Sequence, residues 1–91
     1  MGLSLDRVYP NPARDDVSIQ YVLPGMGEAT IELLDLAGRR VLERSIGSPG
    51  AGTHTLSLAG AKGTRPAGVY FLRLKQGGQS VTRRVVFSNE R

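Results

Sequence analysis

Three features of this chain predict an all-β domain built as a seven-stranded antiparallel β-sandwich. Apolar and polar residues alternate with a period of two in five separate segments. Clusters of Gly, Pro, Asp and Asn separate the segments at near-regular spacing, as in small all-β domains. No segment carries a 3.6-residue apolar period, so no helix is expected.

The segments follow in order. Leu3, Leu5 and Val8 form a short edge strand, ended by Tyr9-Pro10-Asn11-Pro12, whose two prolines belong to a rigid extended turn. Val17, Ile19, Tyr21 and Leu23 alternate with Ser18, Gln20 and Val22 in a second strand, stopped by Pro24-Gly25. Ala29, Ile31 and Leu33 alternate with Thr30 and Glu32 in a third. Asp35-Leu36-Ala37-Gly38 then has Asp at the first position of a type I turn and Gly at the last, where a left-handed residue closes it. Arg39 to Ile46 returns as the partner strand, with Val41 out of phase with Arg40 and Leu42. After the loop Ser48 to Gly52, the stretch from Thr53 to Leu58 puts His54, Leu56 and Leu58 on one face. A polar loop from Ala59 to Arg65 leads to Pro66-Ala67-Gly68, where the proline presets a turn and the glycine gives freedom before the chain extends. Tyr70, Leu72 and Leu74 then share one face, and Val69, Phe71 and Arg73 the other. Gln76-Gly77-Gly78-Gln79 reverses the chain into a last strand, Ser80 to Phe87.

Ninety-one residues make one domain, residues 1–91, able to bury about 60–65% of its unfolded surface and leaving little for a deep active site. The absence of cysteine excludes disulfides and thiolate metal sites. The formal net charge is +4, with ten arginines against two lysines, Lys62 and Lys75. No apolar run approaches the roughly 18 residues of a membrane span, and no signal-peptide pattern is present. Met1-Gly2 reads as an expression start, so the domain is expected to be a piece excised from a longer protein.

Candidate chemistry is sparse. Ser57, His54 and Asp35 contain the residue types of a nucleophilic triad, but no nucleophile elbow accompanies them, and His54 keeps company with Leu56 and Leu58 as a rim residue would. Asn11, Asp15, Asp16 and Asp35 supply too few clustered oxygens for a calcium loop, so turn capping is the better reading and no metal or cofactor is expected. Arg39-Arg40 and Arg83-Arg84 are adjacent on strands and therefore point to opposite faces, which argues against a nucleic-acid surface. A sheet face carrying Arg73 and one of the last arginines is instead suited to an acidic partner or anionic sugar. Of Tyr9, Tyr21 and Phe71, Phe71 is the one reasonable exposed candidate for stacking on a sugar ring, and packing in the core or between the sheets is the better reading.

Four motifs stand in a fixed order: Tyr9-Pro10-Asn11-Pro12, Ile31 to Val41 around Asp35-Leu36-Ala37-Gly38, Gly50-Ala51-Gly52-Thr53-His54, and Pro66 to Leu74 around Gly68-Val69-Tyr70. Together they resemble the C-terminal sorting domains of proteins exported by the type IX secretion system. The pattern is similar also to the immunoglobulin-like module of flagellar hook-capping proteins. The resemblance runs from about Val8 to Phe87 and rests on Asn11, Pro12, Asp35, Gly38, Gly68 and Tyr70 as structural marks.

The resemblance implies an immunoglobulin-like sandwich without enzymatic activity, cofactor, nucleic-acid partner or membrane insertion. Such a domain follows a covalently linked secreted cargo and directs it via the periplasm through the outer membrane to the cell surface. There it is often removed as the cargo is attached to surface lipopolysaccharide. Its partners are then the outer-membrane secretion and attachment machinery. Family members commonly carry lysines around the last strand; the basic positions here are Arg83, Arg84 and Arg91. Recognition is expected to involve the last hairpin, Val69 to Phe87, with Arg73, Arg83 and Arg84 as its charges. The alternative is a carbohydrate-binding or structural spacer module of a secreted glycosidase.

Overall fold

The computed structural model describes residues 2–9, 16–58 and 67–88. Alternation has become seven strands: β1 (Ser4–Tyr9), β2 (Val17–Leu23), β3 (Ala29–Leu34), β4 (Arg40–Gly47), β5 (Gly52–Leu58), β6 (Gly68–Gln76) and β7 (Gln79–Phe87). All pair antiparallel, in a three-stranded sheet of order β1-β2-β5 and a four-stranded sheet of order β4-β3-β6-β7. The two sheets form the expected sandwich.

The core lies where the in-phase residues of both sheets meet. Ile19 and Tyr21 from β2, Ile31 and Leu33 from β3, Leu72 and Leu74 from β6 and Val85 from β7 are all buried there. Burying such side chains contributes about 1.5–3 kcal/mol each relative to leaving them in water. Tyr70 meets Phe87 edge-on, with ring centroids 5.5 Å apart and planes at 81°, which closes the core beneath the last hairpin.

Turn chemistry fixes the registers. Gly38 has φ of 88°, its N–H donates to the Asp35 carbonyl at 2.9 Å, and the Asp35 N–H donates to the Arg39 carbonyl at 2.8 Å. This is the type I turn with a left-handed closing glycine that the Asp…Gly spacing predicts. In the β6–β7 hairpin Gly77 has φ of 61°, as the first residue of a type II′ turn requires. Gly68, with φ of 151°, starts β6 in a conformation that residues with a side chain rarely adopt.

In β1 the buried residues Leu5 and Val8 are three apart, which an even strand does not allow. The register resolves this: Leu5 pairs with Tyr21 and Arg7 with Gln20, leaving Asp6 as the extra residue of a bulge. Pro10, Asn11, Pro12, Asp15, residues 59–66 and Arg91 lie outside the described residues.

Candidate recognition surface

The outer face of the four-stranded sheet is built around a carboxylate. Glu32 belongs to the outward phase of β3, yet its side chain is only 1% exposed, because long cationic side chains from neighbouring strands lie over it. Arg73 on β6 sits directly opposite Glu32 and donates from Nε to Oε1 at 2.8 Å. Arg40 at the start of β4 donates from Nη1 to Oε2 at 3.1 Å, and Lys75 places Nζ 3.6 Å from the same oxygen. Glu43 adds a further carboxylate, 3.5 Å from Arg40. Burial alone pushes the Glu32 carboxyl upward, but the hydrogen bonds from Arg73 and Arg40 and the charges of Arg73 and Lys75 outweigh it and hold it below the ordinary value. The same contact with Glu32, followed by the charge of Glu43, raises Arg40.

The three arginines singled out in the sequence separate by strand phase. Arg84 is exposed on this outer face, opposite Phe71, one diagonal step from Arg73 at about 7–8 Å in Cα spacing. Arg83 lies in the opposite phase, opposite the core residue Leu72, and reaches the other sheet. Its Nη1 donates to the carbonyls of Leu5 and Asp6, both at 2.9 Å. Arg83, though exposed, therefore bridges the edge strands β7 and β1. Arg73 is likewise engaged, with Glu32, which leaves Arg84 as the more open cation of the pair.

Asp35 at the adjacent turn is saturated. Its Oδ1 accepts from the backbone N–H groups of Ala37 at 3.0 Å and Arg39 at 2.8 Å, and Oδ2 accepts from Arg39 Nε at 2.8 Å. The backbone bond from Arg39 is the main cause of a lowered carboxyl pKa. Tyr70 is buried in the core, and Gly38 and Gly68 hold positive-φ backbone. Asn11 and Pro12 are not among the described residues.

The other candidates resolve on geometry. His54 donates from Nε2 to the Gly50 carbonyl at 2.8 Å and packs 5.6 Å from the Tyr21 ring, as a rim histidine. Ser57 occupies the opposite phase of β5, and Asp35 lies on the other sheet, so no triad assembles. Among the described residues no three His, Cys, Asp or Glu side chains group as metal ligands. Phe71, the candidate for an exposed stacking ring, is half-buried on the outer face, opposite Leu34 on β3 and Arg84 on β7. The exposed ring is Tyr9, 38% accessible and overlain by the Arg7 guanidinium at 4.5 Å.

Sequence reading missed two polar residues. Glu32 looked like a solvent-facing residue of an alternating strand; only the cross-strand register shows three cations converging on it. Gln76 is buried and bonds the β2–β3 loop, accepting from Gly25 N–H at 3.2 Å and donating to the carbonyls of Gly25 at 3.1 Å and Gly27 at 2.8 Å. Its signal was its phase, which continues Tyr70, Leu72 and Leu74.

No curated protein matches the chain. The family model described as the secretion system C-terminal sorting domain matches residues 7–88, taking in all of β2 to β7 and the second half of β1. A match of that extent means that the chain belongs to the family of secretion system C-terminal sorting domains.

Proposed function

We propose that this domain carries an attached secreted protein through the outer membrane to the cell surface by way of a type IX apparatus. The machinery recognises the folded β6–β7 hairpin, and the domain performs no catalysis of its own. The family match over residues 7–88 carries this reading. The outer face supports it physically. Arg84 stands exposed beside an Arg73 already oriented by Glu32, so a carboxylate or anionic sugar meets a guanidinium whose geometry is preset. The half-burial of Phe71 leaves the alternative, a carbohydrate-binding module, without its stacking platform on this face.

The test is a reporter fused between a signal peptide and this domain in a host with a type IX apparatus. The expected result is surface display, reduced strongly by Arg84→Glu while the purified variant remains folded. A folded, intact fusion held in the periplasm of several such hosts would overturn the sorting reading. Full export of Arg84→Glu would remove the outer-face arginine from recognition.

A further inference from the structure

A sandwich of two open sheets has four edge strands, and three of these four are guarded. β1 carries the Asp6 bulge, two charged residues and the Arg83 clamp. β4 carries Arg40, Glu43 and Arg44 and two register shifts against β3. β7 carries Arg83 and Arg84 and lies against β1. Such bulges, charges and covers are how natural sheets prevent strand addition. β5, Gly-Thr-His-Thr-Leu-Ser-Leu, has none of them: no charge, no proline and an unbroken register from Leu58 opposite Val17 to Gly52 opposite Leu23. Its one hydrogen-bonded neighbour is β2, and among the described residues no backbone group of its outer side finds a protein partner.

The space beside that edge has a definite chemistry. Because β1 lies against β7, the edges β5 and β4 border the other side of the sandwich, joined through residues 48–51. Leu56 of β5 and Leu42 and Ile46 of β4 pack on the core but remain half-covered there. Arg44 lies between Leu42 and Ile46 in the same phase, opposite the core residue Ile31. It is half-buried, and among the described residues no carboxylate pairs with it.

We infer that the β5 edge receives one extended strand of a partner protein, which completes the three-stranded sheet. Main-chain hydrogen bonds to β5 hold the strand, apolar side chains on its inner face cover Leu42, Ile46 and Leu56, and a carboxylate among them meets Arg44. A second copy of this chain is the poorer occupant, because it brings another Arg44 and no acidic residue on β5. This inference rests on the sorting reading for its biological setting, and on the edge itself for its chemistry.

The probe is a seven-residue peptide of alternating valine and threonine with one aspartate at an inward position, titrated into the isotopically labelled domain. Alternate amides from Gly52 to Leu58 should gain about tenfold or more in hydrogen-exchange protection as the open edge becomes a paired ladder. A peptide with lysine in place of aspartate should bind at least about fivefold more weakly, and Arg44→Gln should abolish that difference. Leu56→Lys, which puts a charge on the inner side of the edge, should abolish binding in a domain that remains folded. Should that variant unfold, the Arg44→Gln comparison carries the decision alone. No protection on β5 at millimolar peptide, or protection centred on another edge, overturns the inference. Protection that rises with protein concentration in the absence of peptide makes a second copy the occupant and overturns the partner strand. In the reporter assay, normal export of folded Leu56→Lys beside an exported parent refutes use of this edge while sorting stands. Peptide binding with no export of the parent fusion leaves the edge supported and removes the sorting reading.

Discussion

Arg83 on the last strand donates a hydrogen bond to the carbonyl of Leu5 on the first at 2.9 Å, bridging two sheets whose strands share no ladder. The acceptor is available because the Asp6 bulge disrupts the β1–β2 pairing at that point, and the Asp6 carbonyl takes a second bond from the same nitrogen. One arginine thus satisfies the backbone left over by a bulge and fixes the side of the sandwich where the first and last strands meet. The adjacent Arg84 lies in the opposite phase and faces outward, opposite Phe71.

The clamp gives the first prediction. A charged donor to backbone carbonyls is worth about 1.5–3 kcal/mol when well shielded, and partial exposure here brings the expectation for Arg83→Gln down to about 1–2 kcal/mol. Arg84→Gln should change stability by less than about 0.5 kcal/mol. Urea denaturation of the two single variants is the measurement. Equal midpoints would mean that the Arg83 bonds add nothing in solution.

The second concerns Glu32. Replacing it by Gln leaves Arg73, Arg40 and Lys75 converging on a group without charge, and a loss of about 1–3 kcal/mol is expected. Replacing Arg73 by Gln instead keeps Arg40 and Lys75 on the carboxylate, so the cost should be smaller. If Glu32→Gln proves the milder of the two, the cluster is not organised around the carboxylate.

Acid should expose the same network. Glu32 and Asp35 both have lowered pKa values in the folded chain, so each releases its proton more readily folded than unfolded. Their contribution to stability is complete above the unfolded carboxyl values of about 4 and is lost as pH falls through the lower folded ones. The denaturation midpoint should stay level from about pH 7 to 5 and fall below about pH 4. Glu32→Gln combined with Asp35→Asn should flatten that fall; an unchanged acid slope would place the titrating groups elsewhere.

Strand phase was legible in the sequence because a period of two is imposed by covalent geometry: β6 buries just the residues that its alternation selects, and β2 departs from it only in also burying Val22. The Asp35–Gly38 turn was legible because its φ values restrict which residues fit. Glu32, Arg83 and the open β5 edge were not. Each depends on which strands lie side by side, and residues as distant in sequence as Leu5 and Arg83 leave no local mark of meeting. Phe71 is a related case: it belongs to the outward phase, yet it is half-buried between Leu34 and Arg84 on the adjacent strands.

The final prediction tests how the last hairpin is fastened to the core. Tyr70 begins the inward phase of β6 and Phe87 ends that of β7, and their rings meet edge to face at 5.5 Å. Tyr70→Ala should cost about 3–5 kcal/mol, since it removes a ring that is only 5% exposed and leaves a cavity. Leucine at each position keeps apolar volume while removing the ring-to-ring geometry, so a cycle of Tyr70→Leu, Phe87→Leu and the double variant isolates that geometry. A coupling energy of about 0.5–1.5 kcal/mol is expected. Strict additivity would show that the two rings contribute only as apolar volume. A loss below about 1 kcal/mol for Tyr70→Ala would contradict the inward phase of β6 itself.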